Sequence, residues 1–60
     1  MPPELEPFIP YLIRQDGNRY QFRIPRSLDE QIRPLKALFK HDELLRNHNR
    51  LITFYAQSNS

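Results

Sequence analysis

The segment that decides the fold is Arg19-Tyr20-Gln21-Phe22-Arg23-Ile24-Pro25, in which polar and apolar residues alternate without interruption. Successive side chains of a strand point to opposite faces, so this segment predicts a strand with one apolar face and one polar face. The apolar face carries Tyr20, Phe22 and Ile24. The polar face carries Arg19, Gln21 and Arg23. Pro25 ends the strand, because proline has no backbone N–H to donate to a sheet.

A second strand is predicted just upstream, over residues 11–15, because Asp16-Gly17 is a strong signal for a tight hairpin turn. With this pair as the loop, Ile13 faces Tyr20 and the apolar residues of both strands share one face. The two segments therefore predict a small β-ribbon or hairpin, in which residues 11–15 lie beside residues 19–24.

A helix is predicted over about residues 28–39. Ser27 and Glu30 have the spacing of a capping box, in which the serine side chain accepts an N–H of the first turn. The apolar residues after the cap recur every three or four positions, as one face of a helix requires: Leu28, Ile32, Leu35 and Phe39. Pro34 interrupts this helix, since it removes a hydrogen bond and clashes with the preceding turn at a cost of about 3 kcal/mol. One helix kinked at Pro34 and two short helices that meet there are both consistent with the sequence.

The C-terminal part of the chain allows two interpretations. Apolar residues at three- and four-residue steps predict a second helix over about residues 42–56, with Asp42 as its N-cap. The run Leu51-Ile52-Thr53-Phe54-Tyr55 is also rich in β-branched and aromatic residues, which favour a strand. We expect the helix, and hence an α+β domain in which a hairpin is followed by two helices. The alternative is a single-chain ββαβ order with a last strand near residues 51–56.

One domain is expected, over residues 11–57. Residues 1–10 contain four of the six prolines, which predicts an extended arm that Phe8 and Ile9 could anchor to the core. The last residues, 58–60, are expected to form a frayed tail.

The small size of the chain limits its core. Sixty residues bury only about 60% of the surface that the unfolded chain exposes, and there is no cysteine for a disulfide. A homodimer is therefore expected, because a partner subunit is a common source of additional core. No apolar run reaches the roughly 20 residues of a membrane span, and no signal-peptide pattern opens the chain. We therefore expect a cytoplasmic protein without membrane association.

Positive charge is concentrated in the strand region. The chain has a net charge of +2, but residues 10–26 alone hold four arginines against Asp16. Such a face suits nucleic acid, because arginine matches guanine O6 and N7, and glutamine matches adenine N6 and N7. We predict base contacts from Arg19, Gln21 and Arg23. We predict phosphate contacts from Arg14, Arg26 and Arg50.

The order of these elements resembles the ribbon-helix-helix (Arc- and MetJ-like) family of DNA-binding proteins. The resemblance covers about residues 19–56 and is most specific at Tyr20-Gln21-Phe22-Arg23-Ile24-Pro25-Arg26. It implies a homodimer in which the strands of two subunits pair as an antiparallel ribbon, with one face on the helices and the other in the major groove. Asp42 and Glu43 depart from the family pattern, since that helix N-terminus usually holds a phosphate and carboxylates repel it.

A shorter stretch, about residues 11–28, resembles a second family. Tyr11-Leu12-Ile13-Arg14, Gly17 and the strand that ends at Pro25 are similar to the N-terminal DNA-binding domain of phage-type tyrosine recombinases. Those domains grip DNA with a single-chain sheet that has a helix behind it. This resemblance therefore implies the same exposed strand face and adds Arg14 to it.

These features predict a sequence-specific protein that binds double-stranded DNA, of the small transcriptional repressor or regulator type. The alternative is a small protein-interaction module that binds and modulates another protein, which the acidic N-terminal arm would suit. Catalysis is not expected, because Ser27 is accounted for by helix capping and no glycine-rich phosphate loop is present. No cofactor or metal site is expected, since His41 and His48 are seven residues apart and helical zinc pairs use an i, i+4 spacing.

Overall fold

In the computed structural model, which describes residues 1–56, a four-stranded antiparallel sheet has helical segments on one face. The strands are β1 (Leu12–Asp16), β2 (Arg19–Pro25), β3 (Phe39–Leu44) and β4 (Asn49–Tyr55). Their order across the sheet is β1-β2-β4-β3, so β2 and β4 are central. The helical segments are a 3₁₀ helix (Pro3–Tyr11) and a crossover segment (26–38), which consists of a 3₁₀ turn (Arg26–Leu28), helix α1 (Asp29–Ile32) and a second 3₁₀ helix (Arg33–Leu38).

The core lies between the helical segments and one face of the sheet. The register pairs Tyr20 with Phe54 and Phe22 with Ile52, so these side chains of the two central strands share this face. All four are buried, and the helical segments add the buried side chains of Leu5, Phe8 and Ile32. Full burial of a large apolar side chain stabilises the fold by about 1.5–3 kcal/mol. The apolar face predicted for β2 is confirmed.

The predicted helix over residues 42–56 is wrong, and with it the arrangement of a hairpin followed by two helices. Residues in this range belong to β3 and β4, which a short turn connects. In that turn His48 has a φ of +63°, a backbone conformation that a right-handed helix does not contain. The N–H of Leu45 donates to the carbonyl oxygen of Asn49 at 2.7 Å and closes the turn between the strands.

The dimeric ribbon-helix-helix arrangement is also wrong. Strand β2 pairs with β1 on one side and with β4 on the other, all within one chain. Its ladder with β4 extends from Arg19 opposite Tyr55 to Pro25 opposite Asn49, so neither edge of β2 is left to form an intersubunit ribbon. The alternative ββαβ order fails too, because it lacks β3, although its last strand coincides with β4.

Strands β1 and β2 form a hairpin whose loop is Gly17-Asn18 rather than Asp16-Gly17. Gln15, instead of Ile13, faces Tyr20, which is a shift of two residues from the predicted register near the loop. A β-bulge at Ile13 reduces the shift to one residue at Leu12, which faces Phe22, and Ile13 is exposed rather than packed on the core. Gly17 has a φ of +61°, and a positive φ at the first loop residue alone is the geometry of a type II′ turn. Glycine adopts this conformation without steric cost, which explains where the loop forms.

The crossover segment is helical but broken beside Pro34, so it matches two short helical pieces that meet there rather than one kinked helix over residues 28–39. Helix α1 is about one turn long, and 3₁₀ geometry begins at Arg33, one residue before Pro34. Proline has no N–H to donate, so regular α-helical bonding cannot continue through this position. Ser27 makes no capping hydrogen bond, because it lies within a 3₁₀ turn and Leu28 occupies the N-cap position of α1.

The proline-rich N-terminus forms a 3₁₀ helix rather than the expected extended arm. Three residues per turn place Leu5, Phe8 and Tyr11 on one side of such a helix. Leu5 and Phe8 are buried in the core, whereas Ile9 falls on another side and is exposed. This segment therefore covers one part of the sheet, as the crossover segment covers another. The frayed tail expected at 58–60 lies outside the described residues.

Candidate nucleic-acid interface

The face of the sheet opposite the core presents polar side chains from all four strands. Arg19, Gln21 and Arg23 of β2 lie directly opposite Tyr55, Thr53 and Leu51 of β4. Directly opposite residues of antiparallel strands share a face. We call this surface the open face; with the contributions of the outer strands it consists of Arg14, Asp16, Arg19, Gln21, Arg23, Lys40, His41, Glu43, Leu51, Thr53 and Tyr55.

Strand β1 adds one cation and one anion to the open face. Arg14 lies opposite Gln21, and Asp16 lies opposite Arg19. The Arg14 Nη2 to Asp16 Oδ2 distance is 3.9 Å, and both side chains are exposed. An exposed pair at this distance contributes at most about 1 kcal/mol, so Arg14 can exchange this carboxylate for another anion at little cost.

Strand β3 adds the other edge of the open face. His41 lies opposite Thr53, and Glu43 lies opposite Leu51. The Nε2 atom of His41 is 3.1 Å from Oε1 of Glu43. A β-bulge between Phe39 and His41 interrupts the register, and the extra residue is Lys40.

A shallow cleft lies in the middle of the open face. Its volume is about 340 Å³, and its lining comes from the strands β2, β3 and β4: Arg19, Gln21, Lys40, His41, Leu51, Thr53 and Tyr55. Tyr55 is 41% exposed and offers an aromatic surface at one end of the sheet. The open face carries four full cations (Arg14, Arg19, Arg23 and Lys40) against two carboxylates (Asp16 and Glu43). Its net charge is therefore positive, which favours an anionic ligand.

Gln21 is held in position by its neighbour in the sheet. Its Nε2 atom donates to Oγ1 of Thr53 at 3.4 Å, and Thr53 is only 4% exposed. One N–H of the amide is used in this contact, which leaves the second N–H as a donor and the carbonyl oxygen as an acceptor. The major-groove edge of adenine presents one acceptor, N7, beside one donor, the N6 amino group, and a side chain that offers a donor beside an acceptor can pair with both.

Arg50 does not lie on the open face. It is opposite Ile24 on the core side, where its Nε and Nη2 donate to the carboxylate of Asp29 at 2.8 and 3.1 Å. Its Nη1 donates to Asp42 at 3.5 Å. The hydrogen bond from Arg50 lowers the pKa of Asp29 below its ordinary value, and the same bond raises the pKa of Arg50. Arg50 thus connects β4 to α1 and β3, away from the open face.

Arg26 lies just past the end of β2 and is exposed. Its backbone N–H donates to the carbonyl oxygen of His48 at 3.0 Å, which fixes the start of the crossover segment beside the β3–β4 turn. Its side-chain Nε is 3.9 Å from Oδ2 of Asp29. The structure therefore places Arg26 beside the sheet rather than on the open face.

The structure brings together four of the six predicted site residues on the open face: Arg14, Arg19, Gln21 and Arg23. Their contacts with DNA stay a prediction. The sequence reasoning missed the contributions of β3 and β4. For β4, the signal was the β-branched and aromatic run of residues 51–55. For Lys40 and His41 there was no signal, because a bulge breaks the alternation that would have assigned them to a face.

A second surface feature lies on the helical side. Here an apolar groove of about 580 Å³ runs between the N-terminal 3₁₀ helix and the crossover segment. Its lining is Glu4, Pro7, Phe8, Tyr11, Leu28, Gln31 and Leu35. This groove has the size of a small-molecule or peptide-side-chain site, but it carries only one charged group, Glu4.

No protein-family model, curated protein or solved structure matches the chain. Within residues 1–56, no helix is long and apolar enough to cross a membrane. In the same range, no three His, Cys, Asp or Glu side chains are grouped as a metal ion would require.

Proposed function

We propose that the protein binds double-stranded DNA by placing the open face of its sheet in the major groove. The observation that carries the proposal is the alignment of Arg14, Arg19, Gln21 and Arg23 on one helix-free side of two neighbouring strands. A two-stranded ribbon such as the central pair β2 and β4 fits into the major groove, where base edges can be distinguished by their donors and acceptors.

The spacing along β2 suits contacts to every second base along one DNA strand. Alternate residues of a strand are about 6.6–6.8 Å apart, whereas neighbouring bases on one DNA strand are about 3.4 Å apart. Arg19, Gln21 and Arg23 would therefore meet bases about two steps apart. Arg23 pairs with guanine, Gln21 pairs with adenine in the orientation that Thr53 imposes, and Arg14 contacts phosphate.

In this proposal the protein binds DNA in the way that the resemblance of residues 11–28 to the recombinase domains implies. A single-chain sheet contacts the DNA, and helical structure lies behind the sheet. It assigns the protein a role as a small cytoplasmic DNA-binding regulator. A homodimer stays a prediction, which light scattering can test. DNA binding by the open face does not require one, because the sheet is completed within one chain.

Substitution of Arg23 tests the proposal. A fluorescein-labelled duplex is first selected from a random 20-base-pair pool for binding to the parent protein, and its affinity is then measured by fluorescence anisotropy at several salt concentrations. Arg23→Ala is expected to weaken binding by about 1–3 kcal/mol, or roughly 5- to 150-fold, because a bidentate guanine contact is lost. The matched control is Arg33→Ala, which removes the same charge from the exposed surface of the crossover segment.

The two variants separate base recognition from a simple loss of charge. Arg33→Ala should bind the selected duplex almost as the parent does. If both variants lost affinity equally, the open face would have no special role. If the parent bound no duplex at low salt, the proposal as a whole would be wrong.

The apolar groove supports the second candidate function, a protein-interaction module. Phe8, Tyr11 and Leu35 would receive apolar side chains of a partner there. This function predicts no DNA binding at physiological salt. It also predicts that Leu35→Asp removes a captured partner that Arg23→Ala retains.

A further inference from the structure

The bulge in β3 brings two successive residues to the open face. In a regular strand Lys40 and His41 would point to opposite sides of the sheet. The register shift between Phe39 and His41 leaves Lys40 as the unpaired extra residue, and both Lys40 and His41 line the cleft on the open face. A bulge commonly re-aims a side chain in this way. The result is a basic pair on an outer strand of the sheet. Lys40 also borders a second cleft, beside Ala37, Leu38 and Phe54, at the edge toward the helical side.

The width of the sheet determines what an outer strand can reach on DNA. Neighbouring strands are about 4.7–4.9 Å apart, so β1 and β3 are separated by about 14 Å across three spacings. The major groove is about 12 Å wide. If the central strands β2 and β4 enter the groove, the two outer strands lie over the sugar-phosphate backbones on either side of it.

Both outer strands carry cations on this face. Arg14 is the cation on β1, and Lys40 is the cation on β3, where the His41 side chain lies next to it. We propose that Lys40 and His41 bind a backbone phosphate on the β3 side of the groove, while Arg14 binds one on the β1 side. The inference rests on the proposed function, and it adds a second phosphate contact that the sequence pattern does not reveal.

The chemistry of the pair favours phosphate over a base edge. Lysine acts on phosphate as a point charge without a fixed geometry, which suits a flexible side chain at the edge of a sheet. Lys40 is exposed and has no carboxylate within 4.0 Å among the described residues. His41 is next to Lys40, but its Nε2 faces Glu43 at 3.1 Å, so Glu43 competes with a phosphate for this end of the open face.

Lys40→Gln and Glu43→Gln are the variants that test the inference. Each removes one charge from an exposed side chain and keeps its approximate size. The matched control is Lys36→Gln, which removes a lysine charge from the crossover segment on the helical side of the sheet. Binding is measured by fluorescence anisotropy to the selected duplex and to an unrelated duplex of the same length, between 50 and 200 mM KCl.

A phosphate contact predicts a salt-dependent and sequence-independent loss. Lys40→Gln should weaken binding to both duplexes by the same factor and reduce the slope of log K against log salt by about 0.9. When the salt concentration is raised fourfold, the Lys40→Gln variant should therefore lose about 3.5-fold less affinity than the parent protein loses. Glu43→Gln should tighten binding to both duplexes, and Lys36→Gln should leave the slope unchanged.

Three results would overturn the inference. If Lys40→Gln keeps the parent slope while Arg23→Ala still loses the selected duplex, β3 holds no phosphate but the proposed function stands. If Lys40→Gln weakens only the selected duplex, Lys40 contacts a base. If the parent protein binds neither duplex at 50 mM KCl, the proposed function itself fails, and this inference fails with it.

Discussion

Replacing Ile52 by valine tests whether β4 is a strand with Ile52 on its buried face. Ile52 is 0% exposed, and it lies opposite Phe22 of β2 and Asp42 of β3. Valine keeps the β-branched shape that a strand favours, so only one buried methylene group is lost. The matched control is Ile13→Val, the same change at a side chain that is 49% exposed in β1.

The expected magnitude follows from this difference in burial. An Ile→Val change in a core typically costs about 0.5–1.5 kcal/mol. A domain of this length has a free energy of unfolding of about 3–9 kcal/mol, at 0.05–0.15 kcal/mol per residue, so the Ile52 variant should remain folded. A substitution at an exposed site usually changes stability by less than about 0.5 kcal/mol, which is what we expect for Ile13→Val.

Urea unfolding, followed by far-ultraviolet circular dichroism at 25 °C, measures both variants. With a slope of about 1 kcal/mol per molar urea, which is usual for small proteins, Ile52→Val should lower the midpoint by about 0.5–1.5 M. The Ile13 variant should unfold close to the parent. Equal midpoints for the two variants would refute the burial of Ile52 and, with it, the register of β4 against β2.

Two further predictions concern local features of the fold. Asp29→Asn should lower the melting temperature at pH 7, because Arg50 loses its carboxylate partner. Arg50 lowers the pKa of Asp29, so the ionised carboxylate stabilises the fold fully at pH values above the ordinary aspartate pKa of about 3.9. This stabilisation is lost as the pH falls through the lower pKa of the folded state, so the difference in melting temperature between parent and variant should close below about pH 4. A difference in melting temperature that stays constant down to pH 2 would contradict this. Gly17→Ala should cost about 1–2 kcal/mol in urea unfolding, because a side chain disfavours a φ of +61° although the space around Gly17 is empty. Gly17→Asn should cost less, because asparagine tolerates a positive φ better than alanine does, and equal midpoints for the two variants would argue against a positive φ at this position.

Local sequence is sufficient to predict the faces of β2. The alternation from Arg19 to Ile24 is a property of the pleated backbone itself, so it assigns the buried and open sides whatever the strand pairs with. For the same reason a register shift of two residues in the hairpin leaves Arg14 on the side that the sequence predicts. The basic part of the candidate site could therefore be read from residues 14–23.

The remainder of the site depends on contacts between distant parts of the chain. Arg50 is a cation like Arg23, but Asp29 from α1 and Asp42 from β3 hold it on the core side. Lys40 reaches the open face only because of a bulge, and a bulge is set by how β3 fits against β4. Neither outcome has a local signal, since both depend on partners that folding brings together.

By itself, the sequence determined a basic, amphipathic strand that a turn precedes and a proline ends. Tertiary structure decided whether residues 49–55 form a helix or a strand. Their apolar spacing suits a helix, and their β-branched and aromatic residues suit a strand, so local preference is nearly balanced. The strand forms because β2 and β3 supply hydrogen-bonding partners on both of its sides and the core buries Ile52 and Phe54. That pairing also completes the sheet within one chain, and so it replaces the intersubunit ribbon with a four-stranded open face.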